Sequence, residues 1–143
     1  MRLGIVGSEA AKFTDDTREL AIEAIENLIT KHQPSYVISG GCHLGGIDIW
    51  AKAACENTGI IFIEHLPKSR SWSGGYKERN LAIARDSDMV VCITVKELPP
   101  DYKGMCFKSC YHCDTDTHVK SGGCWTVKQA IKMGKEGRVI VIE

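Results

Sequence analysis

Cys110-Tyr111-His112-Cys113, followed by His118 and Cys124, places soft donors at the spacing of a metal clip. A two-residue spacer lets two thiolates turn toward one ion, and four N/S donors make a closed tetrahedral set that suits a structural zinc. Cys110, Cys113, His118 and Cys124 are therefore the expected ligands of a structural Zn2+, with Cys106 and His112 as spare candidates. A set of free thiols and a redox CxxC remain as other readings. A thioredoxin-type pair would sit at a strand-to-helix junction, and this CxxC does not. Four protein ligands also leave no open position for a reacting water, so the expected ion is structural rather than catalytic.

The second chemical signal is glycine at the ends of apolar runs. Gly7-Ser8, Gly40-Gly41 with Gly45-Gly46, and Ser121-Gly122-Gly123 each follow a strand-like stretch or precede a helix-like one. Glycine lets backbone approach a ligand closely, and a helix N-terminus presents unpaired N–H groups that suit phosphate. The plainer alternative is that these glycines only make tight turns. Asp48 opens a helix, where it is either a hydrogen-bond acceptor for a ribose or base, or a first-turn carboxylate favoured by the helix dipole. Arg79 in Glu78-Arg79-Asn80 could grip phosphate with its guanidinium fork. Trp72 or Tyr76 could stack on a base, or could simply fill the core. Thr126 completes the last turn, and if Cys124 binds metal, the metal holds that turn in place.

These groups need elements to carry them. Apolar runs of strand length fall at 2–6, 36–39, 60–64, 89–94 and 138–142. Helix-period segments fall at 16–32, 47–58, 75–85 and 126–133. In the first, Leu20, Ile22, Ala24, Ile25, Leu28 and Ile29 form a 3.6-residue stripe. Thr14 or Asp15 is its expected N-cap, and Gly59 and Gly134 are the expected stops of the second and fourth helices. The alternation predicts βαβ units, and the continuous apolar strands predict burial on both faces. The expected fold is α/β: a Rossmann-like three-layer sandwich with a mainly parallel five-stranded sheet, one domain over 1–143. Residues 96–120 are polar, contain two prolines and interrupt the pattern. They are expected to be an inserted zinc-binding loop, stapled because it has no core of its own.

At 143 residues the chain can bury a real core. With 18 basic and 18 acidic residues it lacks the basic footprint of a duplex-binding protein. Lys103, Lys108 and Lys120 make only a small basic patch. No run approaches a membrane span, and the N-terminal apolar stretch is too short for a signal peptide. A cytoplasmic location is expected, with no membrane partner and no duplex nucleic acid. Seven cysteines then argue against a disulfide framework, and Cys42, Cys55 and Cys92 are expected to be small buried residues.

Taken together, Ile5-Val6-Gly7-Ser8, Ser39-Gly40-Gly41 with Gly45-Gly46-Ile47-Asp48, Glu78-Arg79-Asn80 with Ile83, and Gly122-Gly123-Cys124-Trp125-Thr126 resemble the motifs of the SLOG superfamily. Its members include the LOG, DprA and YspA-like proteins. The resemblance runs over nearly the whole chain and is nearest in size to the small single-domain branch. It implies binding of a nucleotide or nucleotide derivative across the strand ends, at Gly7, Ser8, Gly40, Gly41, Asp48, Arg79, Asn80, Gly122, Gly123 and Thr126. A homo-oligomer is also expected. Two departures stand out. The LOG hydrolase branch reads PGGxGTxxE at the last turn, whereas here Ser121, Trp125 and Gln129 replace the Pro, the third Gly and the catalytic Glu. An amide cannot act as a carboxylate base. The Cys/His insertion is the second departure. The sequence therefore points to a nucleotide-derivative sensor or sequestering module. N-glycosidic-bond hydrolysis or transfer on nucleoside phosphates, with Asp48 or Glu78 replacing the missing Glu, is the alternative.

Overall fold

The computed structural model describes residues 1–107 and 109–143. Lys108, one of the three basic-patch lysines, lies outside the described residues. Five strands form one all-parallel sheet: β1 (Arg2–Gly7), β2 (Tyr36–Gly40), β3 (Ile61–His65), β4 (Met89–Val95) and β5 (Glu136–Ile142). Their order is β3-β2-β1-β4-β5. Four helices connect them: α1 (Asp15–His32), α2 (Ile47–Cys55), α3 (Lys77–Asp86) and α4 (Gly122–Lys132). The architecture is the Rossmann-like α/β sandwich expected.

Side-chain alternation divides the core. Leu3 and Ile5 of β1 and Met89, Val91, Ile93 and Val95 of β4 point to the layer of α1 and α2. Val6, Val90 and Cys92 point to the layer of α3 and α4, where Ile83, Ala84, Val127 and Ala130 meet them. Every residue of β4 is buried, as a central strand covered on both faces must be. No helix among the described residues is long and apolar enough to cross a membrane.

Several boundaries differ from the sequence expectation, each for a local reason. Thr14 is the N-cap of α1, in a reciprocal capping box with Thr17. Ala21, Ile25 and Leu28 are its fully buried positions, while Leu20 is 44% exposed. Helix α2 ends at Cys55 rather than at 58, because Thr58 Oγ1 donates to the Cys55 carbonyl (2.5 Å) and Asn57 turns left-handed. Gly59 therefore lies in the following turn. A single wide turn, Trp72–Tyr76, leads into α3, with Ser71 Oγ accepting from the Gly74 N–H. Strand β5 starts at Glu136 because the register pairs it with Met89 and continues to Val95–Ile142.

The largest shift concerns α4. Gly122 and Gly123 form its first turn and do not precede it. Ser121 starts the helix by accepting from the Gly123 N–H at 3.2 Å. Glycine costs helix stability, but a Cβ at Gly123 would stand 2.7 Å from Cys92 Sγ and 3.0 Å from Val6 Cγ2. The helix can rest this closely on β1 and β4 only without that atom.

Candidate functional site

The sheet order reverses between β1 and β4, the switch point outside which open α/β sheets bind ligands. Here the chain at Val119 fills that crevice. Thr94 Oγ1 donates to the Val119 carbonyl (3.1 Å), so Ser8 Oγ is the donor to Thr94 (2.9 Å). Val119 N–H pairs with the Val95 carbonyl, and Lys12 Nζ donates to the Lys120 carbonyl. Burial lowers the Lys12 pKa, with Glu9 opposing that shift.

The open space lies to one side, over the ends of β2 and β3 and the N-termini of α3 and α4. It has two lobes. One, of about 560 Å³, is lined by Trp72, Tyr76, Arg79 and Asn80 on one wall and by Tyr111, His112, Lys120, Gly122 and Trp125 on the other. The second, of about 400 Å³, has Gly41, Cys42 and His43 on one side and Lys68, Ser69 and Arg70 on the other. Tyr76 and Arg79 border both lobes and join them. Trp72 meets Trp125 edge-to-face at 4.6 Å and is 45% exposed, so it is a wall of the cleft and not a core residue.

Of the ten residues nominated from the sequence, Gly41, Arg79, Asn80 and Gly122 line this cleft. Gly7, Ser8, Gly40, Asp48, Gly123 and Thr126 lie beneath or beside it. Gly7 packs on Ile47 and Ile93, and Thr126 is buried within α4. Gly40 is in close contact: a Cβ there would overlap Arg79 Nη1 and stand 3.0 Å from Asp48 Oδ2. The Arg79 guanidinium thus lies across the β2 terminus. Its Nε donates to Asn80 Oδ1 (2.7 Å), Tyr76 stacks under it at 5.4 Å, and its Nη1 is buried with no hydrogen-bond partner among the described residues.

Asp48 sits below, 7% exposed. Burial drives its pKa up to about 7, and Arg79, Ser39 and the Cys42 N–H oppose this only in part. Ser39 Oγ has one proton and lies 2.5 Å from the Ile5 carbonyl and 3.1 Å from Asp48 Oδ1, so it can serve only one of these two acceptors at a time. Burial favours the protonated carboxyl more than at an exposed aspartate.

The Cys/His cluster adjoins the first lobe. One ligand atom each from Cys110, Cys113, His118 and Cys124 lies within 4.8 Å of all the others. Sulfurs bound tetrahedrally to one ion at ~2.3 Å stand about 3.8 Å apart, so small movements would close this group on a metal. The donors are suited to it. His118 Nε2 faces Cys124 Sγ (3.6 Å), and Nδ1 lies 3.1 Å from Thr117 Oγ1, the outer partner that fixes a ligand's tautomer. Burial lowers the His118 pKa and favours the neutral, ligating imidazole. Burial also raises the Cys113 thiol to about 12, with Cys124 and Cys110 adding to it. Burial opposes ionisation of Cys110 too, but N–H groups of Cys113, Ser121 and His112 donate to its sulfur and the net direction is downward. A short bridge between Cys110 and Thr115 forms the knuckle. Cys106 is exposed, with its sulfur turned to the Gly104 carbonyl, and His112 faces the cleft; neither belongs to the group of four.

Several residues here escaped the sequence reading. Cys92 was expected only to be buried, which it is. Its sulfur also lies 3.9 Å from Cys124 Sγ and 3.6 Å from Ser121 Oγ, the cap of α4. Tyr111, Lys68 and Trp125 line the cleft without having been nominated. Trp125 had a signal, as a large ring in a position where the resembled motif has glycine. Cys55 is buried as expected, whereas Cys42 is half-buried at the second lobe.

No protein-family model and no curated protein sequence matches the chain. Among solved structures, it resembles the molybdenum cofactor carrier protein MCP from Chlamydomonas reinhardtii, with a TM-score of 0.59 and 19% identity over 98% of this chain and 74% of that one. At that identity the likeness concerns the fold, which is Rossmann-like.

Proposed function

We propose that this protein binds a phosphorylated, nucleotide-derived small molecule in the two-lobed cleft, as a sensor or sequestering module. We further propose that it is a small SLOG-like domain in which residues 96–120 form a zinc-stapled insertion. The observation that carries the reading is Arg79: a guanidinium bordering both lobes, with one nitrogen buried and unpartnered, between aromatic walls. A buried donor without a partner costs free energy, and a ligand anion that draws the guanidinium toward the cleft would recover it. The N-terminus of α4 opens at Gly122 on the same cleft, with Lys120 beside it. The name of the structural neighbour, a cofactor carrier, supports small-molecule binding as a function of this fold.

Binding is favoured over hydrolysis. Among the described residues no carboxylate lines either lobe. Gln129 holds the position of the resembled catalytic Glu. Asp48 is buried, and Glu78 faces an adjoining hollow beside His65 that shares Leu66, Lys68 and Arg79 with the second lobe.

Zinc is the metal proposed, because a closed Cys3His set is its structural site. Bound there, it would supply a fixed point and no chemistry. Cys110 and Cys113 hold the segment that carries Tyr111 and His112, while Cys124 lies on α4 two residues from Gly122. The clip therefore ties both halves of one wall together.

Native mass spectrometry of protein purified without added metal tests both parts. One zinc per chain, and a nucleotide-class molecule retained or taken up from a panel of nucleoside phosphates, is the expected result. A chain that binds no member of the panel would overturn the functional reading, and a chain that takes up no zinc would overturn the clip.

A further inference from the structure

The chain has as many acidic as basic residues, 18 of each, yet the cleft is one-sided. Lys68 and Arg70 face the second lobe, Lys120 the first, and Arg79 stands at the joint. No carboxylate among the described residues lines either lobe. Three carboxylates stand close by: Glu64 beneath Gly41, paired with Lys52 at 3.5 Å, Asp48 buried beneath Gly40, and Glu78 in an adjoining hollow. The aromatic residues are distributed unequally as well. Trp72, Trp125 and Tyr111 belong to the first lobe alone, where Lys120 Nζ lies over the Tyr111 ring at 5.4 Å. Among the described residues the second lobe has Tyr76 at its boundary and the His43 imidazole, and no tryptophan.

From this we infer that the ligand is a flat heterocycle carrying two or more phosphate groups in a chain, a nucleoside di- or triphosphate or a similar diphosphate, and not a monophosphate. The inference rests on the functional reading above and deepens it. The ring lies in the aromatic lobe against Trp125 and Trp72. The first phosphate meets Arg79 at the joint, and the outer phosphates run into the second lobe between Lys68 and Arg70. A monophosphate would leave these two cations with nothing to bind, and a second aromatic group would meet there only the His43 imidazole and the boundary Tyr76 among the described residues. Two lobes of a few hundred Å³ each fit one small molecule and do not form the long groove a nucleic-acid strand needs.

The test is calorimetric titration with adenosine, its mono-, di- and triphosphate, and the matching guanosine series, in buffer without divalent cations. Each additional charge-assisted hydrogen bond should tighten binding about tenfold, so the triphosphate should bind at least about tenfold more tightly than the monophosphate. In a Lys68→Ala/Arg70→Ala variant the ratio of the two affinities should fall toward one. Both side chains are exposed, and an unchanged melting temperature will show that the variant is folded. Equal affinity for mono- and triphosphates in the native protein, or a ratio that the double variant leaves intact, overturns the inference while the functional reading stands. Absence of binding across both series, the monophosphates included, overturns both.

Discussion

Replacing Asp48 by asparagine tests whether a neutral carboxyl lies under the cleft. Asp48 has an ordinary value of 3.8 and a folded value raised to about 7, chiefly because burial penalises its charge. A raised carboxyl favours folding in its protonated form. That contribution is complete below the unfolded value, declines as pH rises, and is gone once pH passes the folded value. The interval corresponds to ~4 kcal/mol of stability. The side chain introduced by Asp48→Asn cannot ionise, and its amide oxygen can accept from Ser39 Oγ as the carboxyl does. The variant should therefore be close to native stability in acid and more stable than the native protein in base. Between about pH 5 and about pH 8.5 the difference between the two should widen by ~3 kcal/mol in favour of the variant. Urea unfolding of both proteins across that range, at one metal content, measures it, and subtraction removes every other titrating group, the thiols included. Parallel curves would refute the reasoning and would mean that Asp48 is charged in the folded protein, paired with Arg79 after a small shift of the guanidinium.

Other perturbations reach the same site from different directions. Gly40→Ala should push the Arg79 guanidinium off the β2 terminus, lowering stability by about 1–3 kcal/mol and weakening nucleoside phosphate binding roughly tenfold or more in calorimetry; intact affinity would remove Arg79 from the binding role. Trp125→Ala should weaken nucleotides by about 1–3 kcal/mol but leave inorganic pyrophosphate unaffected, since only the ring is lost; an equal loss for both would show the tryptophan to be structural. Ser121→Ala should cost ~1 kcal/mol in urea unfolding through loss of the α4 cap, and a neutral result would argue that the helix start is set by packing at Gly123 alone. Complete removal of metal by a chelator should abolish nucleotide binding together with the order of residues 96–120, followed by amide exchange and restored by added zinc; retained binding in the metal-free protein would separate the clip from the cleft.

Much of the molecule was legible in its residues. The central strands β1 and β4 read as apolar runs because both faces of the sheet are covered there, the edge strands β3 and β5 are apolar but only partly buried, and helices recur between them with a 3.6-residue period, so element type, sequence order and the parallel sheet followed from one-dimensional pattern. The clustering of Cys110, Cys113, His118 and Cys124 was legible in part because CxxC is a local geometry: the chain itself brings Cys110 and Cys113 to one point. Arg79 and Asn80 could be nominated from the resembled motif. The remainder depended on what folding brings from a distance. Ser8, Gly7 and Gly123 read as a phosphate turn, yet the tertiary structure covers them, because Val119 returns onto the end of β4 and fills the crevice there. The open cleft is displaced toward β2, where Lys68, Arg70, Arg79 and Lys120 come from three separate segments. No spacing rule joins those cations, and in a chain of zero net charge their convergence exists only in three dimensions. The raised pKa of Asp48 is likewise a tertiary property: the residue opens a helix in any reading, but only exclusion of water by the surrounding layers makes its charge costly.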